Sequence, residues 1–116
     1  MNQLQRLEWK SRLWHIVSAT QALVDGIAGR TKDEVLGEDW DRAAVERYLI
    51  TIGEALKKAI EDQPQLAARI SDTQRIVGFR NQIVHNYPDI NYDKVWDVLQ
   101  TDLPRLLAEV RTLLDS

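Results

Sequence analysis

A chain of 116 residues with no cysteine and a formal net charge of -3 has room for one domain, over 1–116, whose core needs neither disulfide nor metal. It offers no thiolate for catalysis or zinc, no stretch near the roughly 20 apolar residues of a membrane span, and no apolar signal segment near Met1, so a soluble, cytoplasmic protein is expected. The acidic balance also argues against a general nucleic-acid coating protein, which neutralises phosphates with many Lys and Arg.

In chain order, Leu4, Leu7, Leu13, Trp14, Ile16, Val17, Leu23, Val24 and Ile27 recur at helical spacing and predict one long helix over about 4–28. Gly26 and Gly29 weaken and then stop it. Thr31-Lys32-Asp33-Glu34 has the capping-box pattern and opens a short helical turn before Gly37. A second long helix starts at Asp39 or Trp40 and buries Val45, Tyr48, Leu49, Ile52, Leu56, Ala59 and Ile60 before Gln63-Pro64 ends it.

Pro64 suits the first turn of a short helix over 65–70, because it lacks an amide hydrogen that this position leaves unpaired anyway. Ser71 with Gln74 reads as another capping box. The helix it opens carries Ile76, Val77, Ile83 and Val84 and should end near Tyr87, since the residue before Pro88 is pushed out of helical geometry. Asn91 caps a last helix with Val95, Trp96, Leu99, Leu103, Leu106, Leu107, Val110 and Leu113, which Pro104 kinks or splits at Asp102-Leu103. No strand pattern or repeat competes. The sum is an all-α bundle of four principal antiparallel helices with short extra helical turns.

Chemistry concentrates in Gly78-Phe79-Arg80-Asn81-Gln82-Ile83-Val84-His85-Asn86-Tyr87-Pro88. A guanidinium holds phosphate, an imidazole moves a proton near neutral pH, and a phenol carries a hydroxyl. On a regular helix Arg80 and Tyr87 share a face, whereas Arg80 and His85 stand about 140° apart. Unwinding before Pro88, or a symmetric dimer that sets His85 of one copy beside Arg80 of the other, would bring the two together. As a catalytic pair without a metal they suit phosphodiester chemistry on RNA, with His85 as general base or acid and Arg80 stabilising charge on phosphorus. The product would be a cyclic phosphate, and DNA, lacking the 2′-hydroxyl, would be spared. Asn81 and Asn86 could add hydrogen bonds to phosphate or base. The plainer reading makes Arg80 a solvated helix charge, His85 a cation at a helix C-terminus and Tyr87 a half-buried aromatic.

Elsewhere, Gly53 inside the second long helix points to a close neighbour, and Glu54 faces that neighbour or pairs with Lys58 on its own helix. His15 reads as a packing or surface residue, and Trp9, Trp14, Trp40 and Trp96 as core and interface anchors. Arg69, Arg75 and Arg80 fall in a stretch with one acid, Asp72, and form a local basic focus that a dimer would double.

Arg80-x-x-x-x-His85-x-Tyr87, preceded by Ile52-Gly53-Glu54-Ala55 and followed by Trp96 and Asp102-Leu103-Pro104, resembles the HepT toxins of the HEPN superfamily over most of the chain. That resemblance implies a HEPN bundle forming a homodimer or higher oligomer, with Arg80 and His85 as the catalytic pair of a metal-independent endoribonuclease that uses no cofactor. It further implies the toxin half of a toxin–antitoxin pair, whose MntA-like nucleotidyltransferase modifies Tyr87 with AMP. Ser71-Asp72-Thr73-Gln74-Arg75 departs from the family, whose members commonly carry a tryptophan shortly before the Gly-x-Arg-Asn segment. HEPN-like bundles also occur as non-catalytic scaffolds. In that alternative Arg80 and Tyr87 bind a nucleotide phosphate while the dimer holds a nucleotidyltransferase.

Overall fold

The structure, a computed structural model, describes residues 2–85 and 90–115, residue 5 by its backbone alone. It is all-α. Helix α1 spans Gln3–Ile27, α2 Lys32–Leu36, α3 Asp39–Asp62, α4 Thr73–Val84, α5 Tyr92–Asp97 and α6 Leu103–Leu114, with a 3-10 turn at Pro64–Ala68 and a π turn at Val98–Asp102.

Each boundary has a local cause. Gly29 takes φ 74° to turn the chain out of α1, a conformation that costs an L side chain and not glycine. Thr31 and Glu34 then close their capping box, with the Glu34 amide donating to Thr31 Oγ1 at 3.2 Å and the Thr31 amide to Glu34 Oε1 at 3.0 Å. Glu38 caps α3 by accepting from the Asp41 amide at 2.8 Å, and Asp39 and Asp41 place negative charge where the helix dipole favours it. Asn91 caps α5 as its residue type predicts, accepting from the Lys94 amide at 3.2 Å.

Helix α3 is the axis of the bundle: α1 packs on one flank, α4 on another, and α6 closes against α1. Leu13, Ile16, Leu49, Ile52, Leu56, Ile76, Leu99, Leu103 and Leu106 meet in one buried core. Each contributes about 1.5–3 kcal/mol on burial, against at most about 1 kcal/mol for an exposed ion pair, so the apolar stripes decide the fold. Ile76 and Phe79 anchor α4 in that core. The adjoining residue, Arg80, is thereby held against α3.

Four local expectations are corrected. The capping box at Ser71 and Gln74 does not form: the Ser71 amide and hydroxyl both donate to Glu109, at 3.2 and 3.0 Å, and Asp72 takes the N-cap position in the left-handed region at φ 54°. Helix α4 ends at Val84, with His85 as its C-cap, and so stops short of Tyr87. Tyr48 stays exposed, while Val45, three residues before it, and Leu49, one after it, are buried. Trp14 and Trp40 are exposed, while Trp9 and Trp96 pack half-buried against the core, so no tryptophan is fully buried.

The split at Pro104 falls where the sequence places it. Pro104 has no amide hydrogen for the carbonyl one turn back, and the π turn Val98–Asp102 takes up the mismatch between α5 and α6. Asp102 is buried there, 4% exposed. Burial raises its carboxyl above the usual carboxylate range, and Arg75 and Arg105 draw it only partway back. Arg75 Nε stands 3.2 Å from Asp102 Oδ2 without the alignment of a hydrogen bond.

Candidate active site

Gly53 is the seat of the site. A Cβ at that position would lie 2.4 Å from Arg80 Cβ and 2.9 Å from Arg80 Cγ, so only glycine lets the root of the Arg80 side chain rest on α3. The close neighbour that the mid-helix glycine predicts is therefore Arg80 itself.

One residue on, Glu54 meets the other end of the same side chain. Arg80 Nη2 donates to Glu54 Oε1 at 3.2 Å, and Arg80 Nη1 donates to Asn81 Oδ1 at 2.8 Å. Glu54 thus pairs across to α4 and not with Lys58. The Arg80 side chain is only 19% exposed, and its Nε is buried without a hydrogen-bond partner among the described residues. Of the five N–H donors of an arginine, two are engaged in these contacts, which orients the plane, and among the described residues Nε and one hydrogen on each Nη remain uncommitted. Such a fixed fork matches the oxygens of a phosphate.

His85 sits exposed at the C-cap of α4. Its amide donates to the Asn81 carbonyl at 3.0 Å, so helical hydrogen bonding continues without a break from Arg80 to His85. The two positions leave α4 about 140° apart around its axis, and the stretch just before Pro88, where unwinding is expected, lies outside the described residues. Asn86 and Tyr87 lie outside the described residues.

The basic focus expected around Arg69, Arg75 and Arg80 is largely spent on ion pairs. Arg75 faces Asp102 at 3.2 Å and Arg80 faces Glu54 at 3.2 Å. Among the described residues no three His, Asp or Glu side chains come together as a metal site, and no helix is long and apolar enough to cross a membrane.

A second concentration of charge lies beside the first. Arg12 and His15 of α1 face Arg47, Thr51, Glu54 and Lys58 of α3 across a groove of about 380 Å³. Arg12, Arg47 and Thr51 belong to no motif in the sequence, and His15, expected as a packing or surface residue, is exposed. The spacing of 47, 51, 54 and 58 along one helical face is the signal that would have shown the groove.

An all-helical bundle with Arg80 on its fourth helix and His85 at that helix's C-cap is consistent with the HEPN type of fold. The family model described as Ribonuclease HepT-like matches residues 13–113, and the chain belongs to that family. A protein of Caldanaerobacter subterraneus subsp. tengcongensis with the provisional name of RNase is 24% identical over 104 residues, covering 90% of this chain and 92% of its own. Two proteins of Methanocaldococcus jannaschii with the same provisional name are 28% identical over 106 residues, covering 88% of this chain and 84% of theirs, and 25% identical over 107 residues, covering 92% and 97%. No solved structure gives a significant match to the chain.

Proposed function

We propose that this chain is a metal-independent endoribonuclease that works as a homodimer, with Arg80 of one copy and His85 of the other acting on one phosphodiester. The observation that carries the reading is the Arg80 guanidinium, seated on Gly53 and oriented by Glu54 and Asn81 with donors to spare. Unbroken helical geometry between Arg80 and His85 favours the two-copy arrangement over a site within one chain. Family membership and the RNase names of relatives support the substrate class.

In this mechanism His85 takes the proton of a ribose 2′-hydroxyl, and the 2′-oxygen bonds to the neighbouring phosphorus. The bond from phosphorus to the 5′-oxygen breaks, leaving a 2′,3′-cyclic phosphate and a 5′-hydroxyl. Water protonates the leaving oxygen, and the imidazolium returns its proton to solvent. Arg80 stabilises the charge that builds on the non-bridging oxygens. Asn81 holds Arg80 and can reach the same phosphate.

The reading extends to biology. The chain serves as the toxin of a toxin–antitoxin pair, and an MntA-like nucleotidyltransferase neutralises it by placing AMP on Tyr87. An added phosphate two residues from His85 would repel RNA and block the site. Expression of the wild type, His85→Ala and Arg80→Ala without a partner tests the enzyme: growth arrest and RNA breakage in the wild type alone are expected. Equal behaviour of all three would favour a non-catalytic scaffold. Tyr87→Phe should keep its toxicity yet escape neutralisation when the nucleotidyltransferase is co-expressed.

A further inference from the structure

The groove between α1 and α3 is not used by the chemistry above, although Glu54 belongs to both places. It lines the groove and also pairs with Arg80, so the groove opens onto the centre where the phosphodiester would be cut. Its charged walls are Arg12, Arg47 and Lys58, joined by His15, against the single carboxylate of Glu54. Glu54 is itself matched by Arg80. Arg12 has one counter-ion, Asp62, at 3.0 Å, yet its Nε is buried and lacks a hydrogen-bond partner among the described residues. A buried donor of a charged group without an acceptor costs free energy that an incoming oxyanion would recover.

We propose that this groove is a second phosphate-binding site, which takes the sugar-phosphate backbone of single-stranded RNA as the strand leaves the Arg80 centre. The proposal rests on the ribonuclease reading and names the path of its substrate. Arg47, Thr51, Glu54 and Lys58 lie along one face of α3, and 47 to 58 spans about 16 Å of helix. A single strand carries one negative charge on every phosphate, and a face of this length can meet more than one of them. Arg47 and Lys58 meet the backbone along this face, and the Arg12 guanidinium, paired with Asp62, adds a further positive charge toward the Lys58 end. None of these groups reads a base, so the track adds affinity without sequence preference.

The test uses the full chain and a single-stranded RNA of about twelve nucleotides, fully 2′-O-methylated so that it cannot be cut. Fluorescence anisotropy across a salt series compares wild type with Arg47→Ala/Lys58→Ala and with the charge-preserving Arg47→Lys/Lys58→Arg. The double alanine variant should bind at least ten-fold more weakly at about 0.1 M salt. Its slope of log K against log salt should be shallower by about 1.4, the loss of two charges at about 0.7 each on a single strand. The charge-preserving variant should retain both affinity and slope, and thermal unfolding should report an intact fold for both. Wild-type affinity and slope in the double alanine variant would overturn the proposal, as would a nucleoside monophosphate binding as tightly as the oligonucleotide. Cleavage of unmethylated RNA is scored separately: its absence in the wild type would sink the nuclease reading, whereas an unchanged affinity and salt slope in the double alanine variant would sink the groove alone.

Discussion

Gly53 and Arg80 touch at the roots of their residues: a Cβ on Gly53 would fall 2.4 Å from Arg80 Cβ. Arg80 Cβ is fixed to the α4 backbone, so no rotamer relieves the overlap and the two helices must part. Gly53→Ala should therefore lose stability even though alanine is favoured in a helix. The clash costs about 1–3 kcal/mol, offset by about 1 kcal/mol of propensity, for a net loss of up to about 2 kcal/mol in chemical denaturation. RNA cleavage should fall further than stability does, by about 100-fold, because a 1 Å displacement of a catalytic group costs that much. An alanine variant with wild-type cleavage would show that the seat of Arg80 is not needed.

In the proposed mechanism Glu54 acts through its ion pair with Arg80, which would make it a positioning residue. Its side chain is 48% exposed, so the ion pair itself is worth at most about 1 kcal/mol and Glu54→Gln should leave thermal stability nearly unchanged. The amide keeps an acceptor for Arg80 but removes a negative charge from the phosphate site. Kinetics should then show KM falling and kcat falling with it, the latter by about ten-fold as the guanidinium loses its fixed orientation. A change in neither parameter would confine Glu54 to a surface ion pair.

Asp102 carries a cost at neutral pH. Its folded-state pKa is raised by burial above the unfolded value, so the native state binds its proton more readily than the unfolded chain does. The ionised carboxylate therefore opposes folding above the raised pKa, and the penalty fades as pH falls through it toward the unfolded value near 3.9. Arg75 and Arg105 are 44% and 40% exposed, so water can solvate them once the carboxylate is gone. Asp102→Asn should be neutral or stabilising at pH 7 in urea titrations, and its advantage should shrink as the pH is lowered to about 4. A destabilisation above about 1 kcal/mol at pH 7 would mean that the ion pairs outweigh burial.

The legible parts of this fold are those fixed by residues close in sequence. The Thr31–Glu34 box, the Asn91 cap and the break at Pro104 depend on neighbours within a turn, and each is found where its residue type predicts. Ser71 has the same local credentials, but Glu109, 38 residues away, competes for its amide and hydroxyl and wins. Helical periodicity located the apolar stripes but did not say how wide they are, which is why Tyr48 and Trp14 stay in solvent. Around the site, Gly53 announced a close approach without naming its partner. The groove was hidden because Arg12 and His15 lie about 40 residues from the α3 side chains they face, and no single-helix pattern joins them.

Placing Arg80 and His85 on different sides of α4 makes a prediction about mixed dimers. If each centre takes its guanidinium from one copy and its imidazole from the other, a dimer of Arg80→Ala with His85→Ala still contains one complete centre. The Arg80→Ala copy supplies the imidazole and the His85→Ala copy supplies the guanidinium. Each variant alone should be inactive. Unfolded together and refolded at equal concentration, half of the dimers are mixed and each holds one working centre of two, so activity should return to about a quarter of the wild-type value. Oligomer exchange can be followed by native mass spectrometry with one variant carrying a tag. Recovery near a quarter would establish a centre built from two copies, while mixed dimers without any activity would require Arg80 and His85 to act from the same chain.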